Sequence, residues 1–596
     1  MKSRLFYLFS IFFLASGLAS QGLALPIGNP AYDLVDRLTI KYGFERVNRP
    51  AFNPNLRPMN RSGLVRLLKT YQYQYGREIS DTDRFWMQFT FNDNNEWLGL
   101  PGLNELENQE DTAQKWLLDS MAVRATRDYD YQRNSRPLFN YFWRTPANFL
   151  EVNRPDFFLR LNPILDLRYG LLQDDVEDYI YNRRGVELRG GVDERLFFYF
   201  QLVETQRSLP AHLRDFRERF GAVPGAGFVK DYSGLGITDG IDFLNSQGYL
   251  SYEISKHVGM RLGYGDNFIG QGERSMLLSD FSNNYPFLQL NWRVWKFHYQ
   301  NTFAQLSAGE FVRQGPNLPI AKKFMAAHHL SVNIGKRLNL GIFEAVILSR
   351  NDGFELAYLN PVIFYRTIEG ALGSPDNVLL GVDGSYRLPP SFLFYGQFIL
   401  DEFKFDELIL ERNGWWANKW GLQLGLKYID VLGVDQLDAQ VEYNRARPYT
   451  YTHNQGVNSY THFGMPLAHP LGANFSDLML RLRYRPLPRL QLDGRFYLVD
   501  QGEDDPENGL VVGENINVAN DDRGMDFGNE IGQGVGYDNT IISGEISYML
   551  RHNLFLEALY YQSSRVYDDP IRENGSATKY ISLGLRWNVA RRREHF

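Results

Sequence analysis

Several groups of residues in this chain are of a type and spacing that do chemistry elsewhere. Gly263, Gly265, Gly270 and Gly272 resemble a phosphate loop, but the Lys-Ser/Thr ending is missing and no helical pattern follows. Tight turns and close strand approach account for them better. Asp266, Glu273, Arg274 and Asp280 among and beside them suit either a lumenal polar network, the favoured reading, or a ligand site. His453, His462 and His469 are too far apart for a helix-borne zinc pair, and the adjacent His328 and His329 point to opposite faces of any strand. Glu503, Asp504, Asp505, Glu507, Asp521, Asp522 and Asp526 cluster enough carboxylates for calcium, though without EF-hand spacing; a solvated loop competes with that reading. Glu369, Asp401 and Glu402 are carboxylates able to line an interior, yet no Gly-x-Ser-x-Gly run or other catalytic constellation accompanies them. The reading therefore assigns no catalytic residue, no metal and no cofactor. The stretch 446–475 carries Tyr449, Tyr451, His453, Tyr460, His462 and His469 among Asn and Gly. Aromatic faces stack on sugar rings and these polar tips bond hydroxyls, which predicts a sugar-facing loop; an interfacial aromatic belt is the competing account.

The elements that must position these residues are strands. From about residue 155 onward, apolar and polar residues alternate for about ten positions at a time, a period of two. Leu478, Leu480, Leu482 and Tyr484 share one face, with Met479, Arg481, Arg483 and Arg485 on the other. After Pro486-Leu487-Pro488 the pattern returns with Leu490, Leu492, Gly494, Phe496 and Leu498. Charge opposite the apolar face, strand after strand and with no helices between, predicts a closed membrane barrel with lipid outside and a wet lumen. The first strand is placed near Asp156, with Pro163 breaking its register and Ile581–Val589 closing the series. At about 25 residues per strand with its share of loop, roughly 16 to 18 strands follow. Short turns such as Arg485–Arg489 are assigned to the periplasm, and long loops such as Asp500–Asn539 to the outside.

Residues 25–150 read differently. Pro30 opens a helix carrying Leu34, Val35 and Leu38; Ser62 is set as the cap of a second, and Ser80 starts a third before Phe85, Trp86 and Phe89. A fourth is expected from Asp111 to Met121. Lys2 and Arg4 precede an apolar stretch from Leu5 to Ala19, the pattern of a secretory signal within residues 1–24, cleaved after Ala19 or Ala24. The 15% aromatic content suits two interfacial girdles. A net charge of −7 with mixed signs excludes the basic stripe of a nucleic-acid binder. With Cys at zero, thiolate and disulfide chemistry is excluded.

Several segments resemble the capsule-assembly Wzi family of outer-membrane barrels, and most of all its Bacteroidetes branch, which includes gliding-motility proteins of the RemB type. They are Gly265–Ser275 running into Leu277–Asp280; Leu359–Arg366 with Glu369; Gly373–Asn377 with Gly381; Tyr395–Gln397 with Asp401–Phe403; and His462–Gly464 with His469–Asn474. Asp36–Leu38 and Arg57–Met59 look like the helical start of such proteins. The resemblance implies a surface lectin that holds capsular polysaccharide, with Asp266, Asn267, Gly270, Gly272, Arg274, Asn360, Glu369, Asp376, Asn377, Gln397, Asp401 and Glu402 as a lumenal motif network. The expectation is thus an all-β, closed antiparallel transmembrane barrel of about 18 strands at residues 151–596. A small helical segment at 25–150 sits against or inside the periplasmic mouth. Outer-membrane lipid and surface polysaccharide are the expected partners, and nucleic acid is not. The alternatives are a partner-binding component of a gliding or secretion machine, whose envelope proteins would then be partners too, and a passive porin.

Overall fold

The alternating segments close on themselves. A computed structural model describes residues 22–43, 53–98, 138–139, 141–173, 178–193, 195–308, 321–350, 353–360, 364–373, 376–402, 406, 413–505, 508–569 and 577–591. Among these, eighteen strands form one antiparallel barrel: β1 Phe157–Gln173, β2 Asp178–Val192, β3 Leu196–Ser208, β4 Ile237–Ser255, β5 Val258–Gly265, β6 Tyr285–Val294, β7 Phe297–Ser307, β8 Lys322–Ile334, β9 Leu338–Leu348, β10 Asn377–Leu388, β11 Phe392–Glu402, β12 Lys419–Tyr428, β13 Leu437–Ala446, β14 Phe475–Leu487, β15 Leu490–Glu503, β16 Val535–Arg551, β17 Leu554–Tyr567 and β18 Thr578–Trp587. Each pairs with its sequence neighbours, and β18 returns to β1 with Ile581 opposite Leu171 and Trp587 opposite Leu165. The signal segment and the helix expected at Asp111–Met121 lie outside the described residues.

The phase of the alternation is as expected. Leu478, Leu480 and Leu482 are exposed on the outer wall, while Arg481, Arg483 and Arg485 are buried inside. An outward apolar belt is the surface that a barrel turns to lipid. Pro163 departs from expectation: it does not break β1, which runs through it with Pro163 opposite Val186. On its other edge β1 pairs with Leu150–Arg154 up to Leu161 and with β18 from Leu165. A residue without an N–H fits where one edge partner ends and the next begins.

Three helices fill the short-turn end of the lumen: α1 Ala31–Tyr42, α2 Arg61–Tyr75 and α3 Asp81–Asp93. Their apolar faces pack Leu34, Leu38, Leu64, Leu68 and Trp86 against inward residues of the wall, Phe197, Tyr199, Met549 and Phe555. Ser80 caps α3 by accepting the Asp83 N–H at 3.2 Å, as expected. The cap of α2 is Asn60 rather than Ser62: its carbonyl accepts from Gly63 N–H at 2.8 Å and from the Ser62 hydroxyl at 2.6 Å. A side chain that reaches the third residue on satisfies a free helix amide only from the position before the first turn. Asn60→Ala is expected to lower stability by about 1 kcal/mol, read from a denaturant midpoint with unchanged slope.

Candidate functional site

From the long-loop end, residues 266–284 dive into the lumen and meet the plug. Phe268–Ile269 pairs antiparallel with Leu56–Arg57, and Gly270 N–H donates to Asn55 O at 2.7 Å. Inside, the segment is clamped by the wall. The Gln397 carbonyl accepts from Met276 N–H at 2.7 Å, and its amide donates to Ile269 O at 2.8 Å. Arg274 donates to Asp477 at 2.8 Å and lies over the Tyr497 ring. Glu273 accepts from Arg495 at 3.1 Å. Asn267 joins Arg261 and Tyr285. Gly272 is needed because a Cβ would sit 2.5 Å from both Arg274 O and Glu442 Oε2. The motif residues Asp266, Asn267, Gly270, Gly272, Arg274 and Gln397 are thus brought together as a lumenal network, with Asp266 beside a polar cavity of about 120 Å³.

The remaining motif residues go elsewhere. Asn377 holds the lumen-side rim, donating to Asn458 O at 3.0 Å, and Asp401 accepts from Tyr451 N–H at 2.8 Å. Glu402 is exposed and pairs with Lys419 at 3.3 Å. Asn360, Glu369 and Asp376 are not lumenal. Leu340 and Ile342 face outward, so Glu344 and Val346 on the same face of β9 do too. Residues 353–360 and 364–373, the latter carrying helix α5 Tyr365–Leu372, pack on that outer wall through Tyr358 and Tyr365 against Val346, Leu348 and Phe303. Asp376 fastens them, accepting from Arg350 at 2.7 Å and from Tyr358 at 2.7 Å, and Glu369 pairs with Arg366. Carboxylates read as interior from sequence sit outside because a loop can fold back over short strands, and nothing in the loop's own spacing records that choice.

A second charged network joins the plug to the wall. Asp33 of α1 pairs with Arg483, with Arg481 at 3.6 Å and with Arg485 at 3.8 Å. Burial disfavours the Asp33 carboxylate, but Arg483, Arg481 and Arg485 outweigh it and hold its pKa well below the ordinary range. Arg37 pairs with Asp438, with Asp83 at 3.0 Å and with Asp430 at 2.9 Å.

The aromatic stretch 446–475 is a lid facing inward. Tyr449, Tyr451, Tyr460, His462 and His469 are all buried, and only His453 is half-exposed. Tyr451 and Tyr460 donate their hydroxyls to Met276 O and Leu277 O at 2.7 and 2.9 Å, so the lid is bolted to the segment beneath it. Tyr449 donates to Val511 O at 3.0 Å. Burial pulls His462 down to about 3 and His469 to about 4, leaving both neutral at pH 7. Each then has one accepting nitrogen, filled by Ser307 N–H or Leu471 N–H, and one donor, spent on Asn284 O or Asp477. The acidic loop is structural as well: Asp504 accepts the N–H groups of Val512, Gly513 and Asn515 at 2.6, 3.0 and 3.2 Å. Among the described residues, no cluster of three or more His, Asp or Glu has metal-site geometry.

What the long-loop face does expose is a cleft of about 120 Å³ between helix α4, Ala211–Phe220, and the rim of β15–β17. The Phe216 and Phe220 rings lie 4.4 Å apart, tilted at 36° to one another, along one side. Arg219 pairs with Glu514 and reaches Glu503 at 3.6 Å; Arg565 meets Glu503 at 3.2 Å, and Tyr537 donates to Gln501 at 2.6 Å. Aromatic faces beside a net of donors and acceptors are the chemistry of sugar recognition. The sequence missed α4 as a site because its loop has no distinctive spacing; the available signal was Phe216-Arg217-Glu218-Arg219-Phe220 in a polar loop.

An apolar belt, a lumen packed from both ends and a polar aromatic cleft on the long loops define a plugged eighteen-strand barrel with a cleft on its long-loop face. The family model for the capsule assembly protein Wzi matches residues 177–568, and the chain belongs to that family. Among solved structures it is similar to Wzi of Escherichia coli, described as an outer membrane protein involved in group 1 capsule assembly and a carbohydrate-binding β-barrel. The identity is 13% and the TM-score 0.53, over 94% of this chain and 98% of that one. OprD of Pseudomonas aeruginosa aligns at 11% identity and a TM-score of 0.39, over 72% of this chain and 94% of that one. Among curated proteins, none matches.

Proposed function

We propose that the protein is a non-catalytic outer-membrane barrel that binds surface polysaccharide and helps to assemble or retain capsule. Family membership across residues 177–568 carries this reading, and the α4 cleft supplies the chemistry it needs. The short turns and the plug then lie on the periplasmic side, and the cleft faces outward. The filled lumen favours holding glycan at the rim over passing it through, which weighs against the porin alternative. The finer placement in the Bacteroidetes branch with RemB-type proteins rests on the loop segments quoted above. The test is binding of the host's purified surface polysaccharide to the full chain in detergent. Phe216→Ala with Arg219→Lys should weaken it at least about tenfold, roughly 1.4 kcal/mol, with the heat-modifiable barrel intact. Wild-type affinity in that variant would remove the cleft from the proposal; no binding by wild type would remove the function.

A further inference from the structure

The outer wall at β7–β9 breaks the apolar phase. Asn301, His328 and Glu344 are register partners across these strands and share the outward face with Phe297, Leu330 and Ile342. A carboxylate facing lipid is costly unless it is covered and paired. Here it is both. Glu344 accepts from His328 at 2.8 Å and from the N–H groups of Tyr365 and Arg366 at 2.9 and 3.1 Å, where α5 begins. The Tyr365 ring stacks on His328 at 4.5 Å. The loop is therefore pinned to the barrel's outside. Among its described residues Leu356 is 72% exposed, Phe364 58% and Leu372 43%, with the exposed Arg366 beside them paired to Glu369. Apolar side chains grouped around one charged residue suit the interfacial edge of a lipid-facing belt.

Two residues further toward the short turns, the wall drops into a groove of about 620 Å³ running from β7 to β12. Its floor is a directly opposed glycine pair, Gly384 and Gly396. Its sides are Leu340, Ile342, Phe398 and Leu424. Six strands at about 4.8 Å spacing give it a length of about 24 Å. It is larger than the polar cavities within the lumen and continuous with the lipid-facing belt.

We propose that this groove, on the lipid-facing wall next to the α5 attachment, is a site for one acyl chain of a membrane lipid. The bound chain fills the trough over the glycine pair, which flanking side chains would otherwise leave poorly packed. The site is separate from the glycan cleft and does not depend on it.

The full chain is extracted in a mild detergent, and lipid per barrel is counted by native mass spectrometry and by fatty-acid analysis after gel filtration. Wild type should retain about one acyl lipid, and G384L/G396L should lower that several-fold. The control is G494L/G544L, another outward glycine pair, opposed in β15 and β16 and with nothing within 4 Å of either added Cβ; it should retain the wild-type amount. Should G384L/G396L fail to form a barrel, Leu424→Trp fills the groove from its side and should give the same loss. Equal retention by groove and control variants, or equal loss, overturns the proposal. A wild-type dimer that the groove variant converts to monomer at constant lipid overturns it too, and assigns the surface to a second copy of the chain.

Discussion

Asp33→Ala should release the helical plug from the barrel. The substitution removes the carboxylate shared by Arg481, Arg483 and Arg485; Arg481 keeps Asp493 and Arg483 keeps Asp438, so the loss falls on the plug's own tie to the wall and on the buried Arg485. Removing one partner of a buried ion pair costs about 3–5 kcal/mol, far more than a surface pair is worth. Trypsin should then cut at Arg37, Lys41 and Arg61, buried or half-buried in the docked plug, while the barrel keeps its heat-modifiable migration. Protease resistance equal to wild type would mean that the apolar cluster holds the plug alone. The pH dependence has a fixed sign. Because the folded pKa of Asp33 lies well below its ordinary value, its contribution is complete above the unfolded value of about 3.9 and is lost only as pH falls through the folded one. Asp33→Asn should remove that acid-dependent part of the docking.

Gly270→Val should dislodge the lumenal segment 266–284. Gly270 has φ of +134°, a conformation open to glycine and strained for any other residue. A Cβ there would lie 2.4 Å from Gln397 Nε2, the donor that holds Ile269. Backbone strain and the lost clamp together amount to about 2–5 kcal/mol. Gly335→Ala, also at positive φ but with nothing within 4 Å, should cost only about 1 kcal/mol. The readouts are thermal melting and single-channel conductance in planar bilayers: wild type closed, the valine variant leaking. A closed, wild-type-stable valine variant would show that Gln397 is not the clamp.

The barrel was legible because every strand has two solvents, lipid and lumen, and the period of two records both. Leu478 to Arg485 reads the same in sequence and in space. The lumen's filling was not legible. Arg483 meeting Asp33 looks like any charged inward position, and its partner lies 450 residues away. Tyr451, Tyr460 and His462 misled in a specific way: the groups that stack on and bond a sugar are the groups that bolt a lid to carbonyls. The outer-wall loop did leave a trace, since Asn301, His328 and Glu344 put polar residues into the apolar phase of three successive strands. The groove glycines leave none, because glycine is neutral to the alternation.

The plug is made first and finished last. Glu96 of the N-terminal segment bonds Arg189 in β2, Arg37 and Asp33 need Asp438 and Arg483 of β13 and β14, and Asp93 takes its hydrogen bond from Asn553 in the β16–β17 turn. No nascent chain can satisfy these contacts until nearly every hairpin has arrived. A chain that lacks one of these hairpins leaves the segment short of a partner on the wall, and limited trypsin digestion should read that as faster cleavage at Arg37 and Lys41.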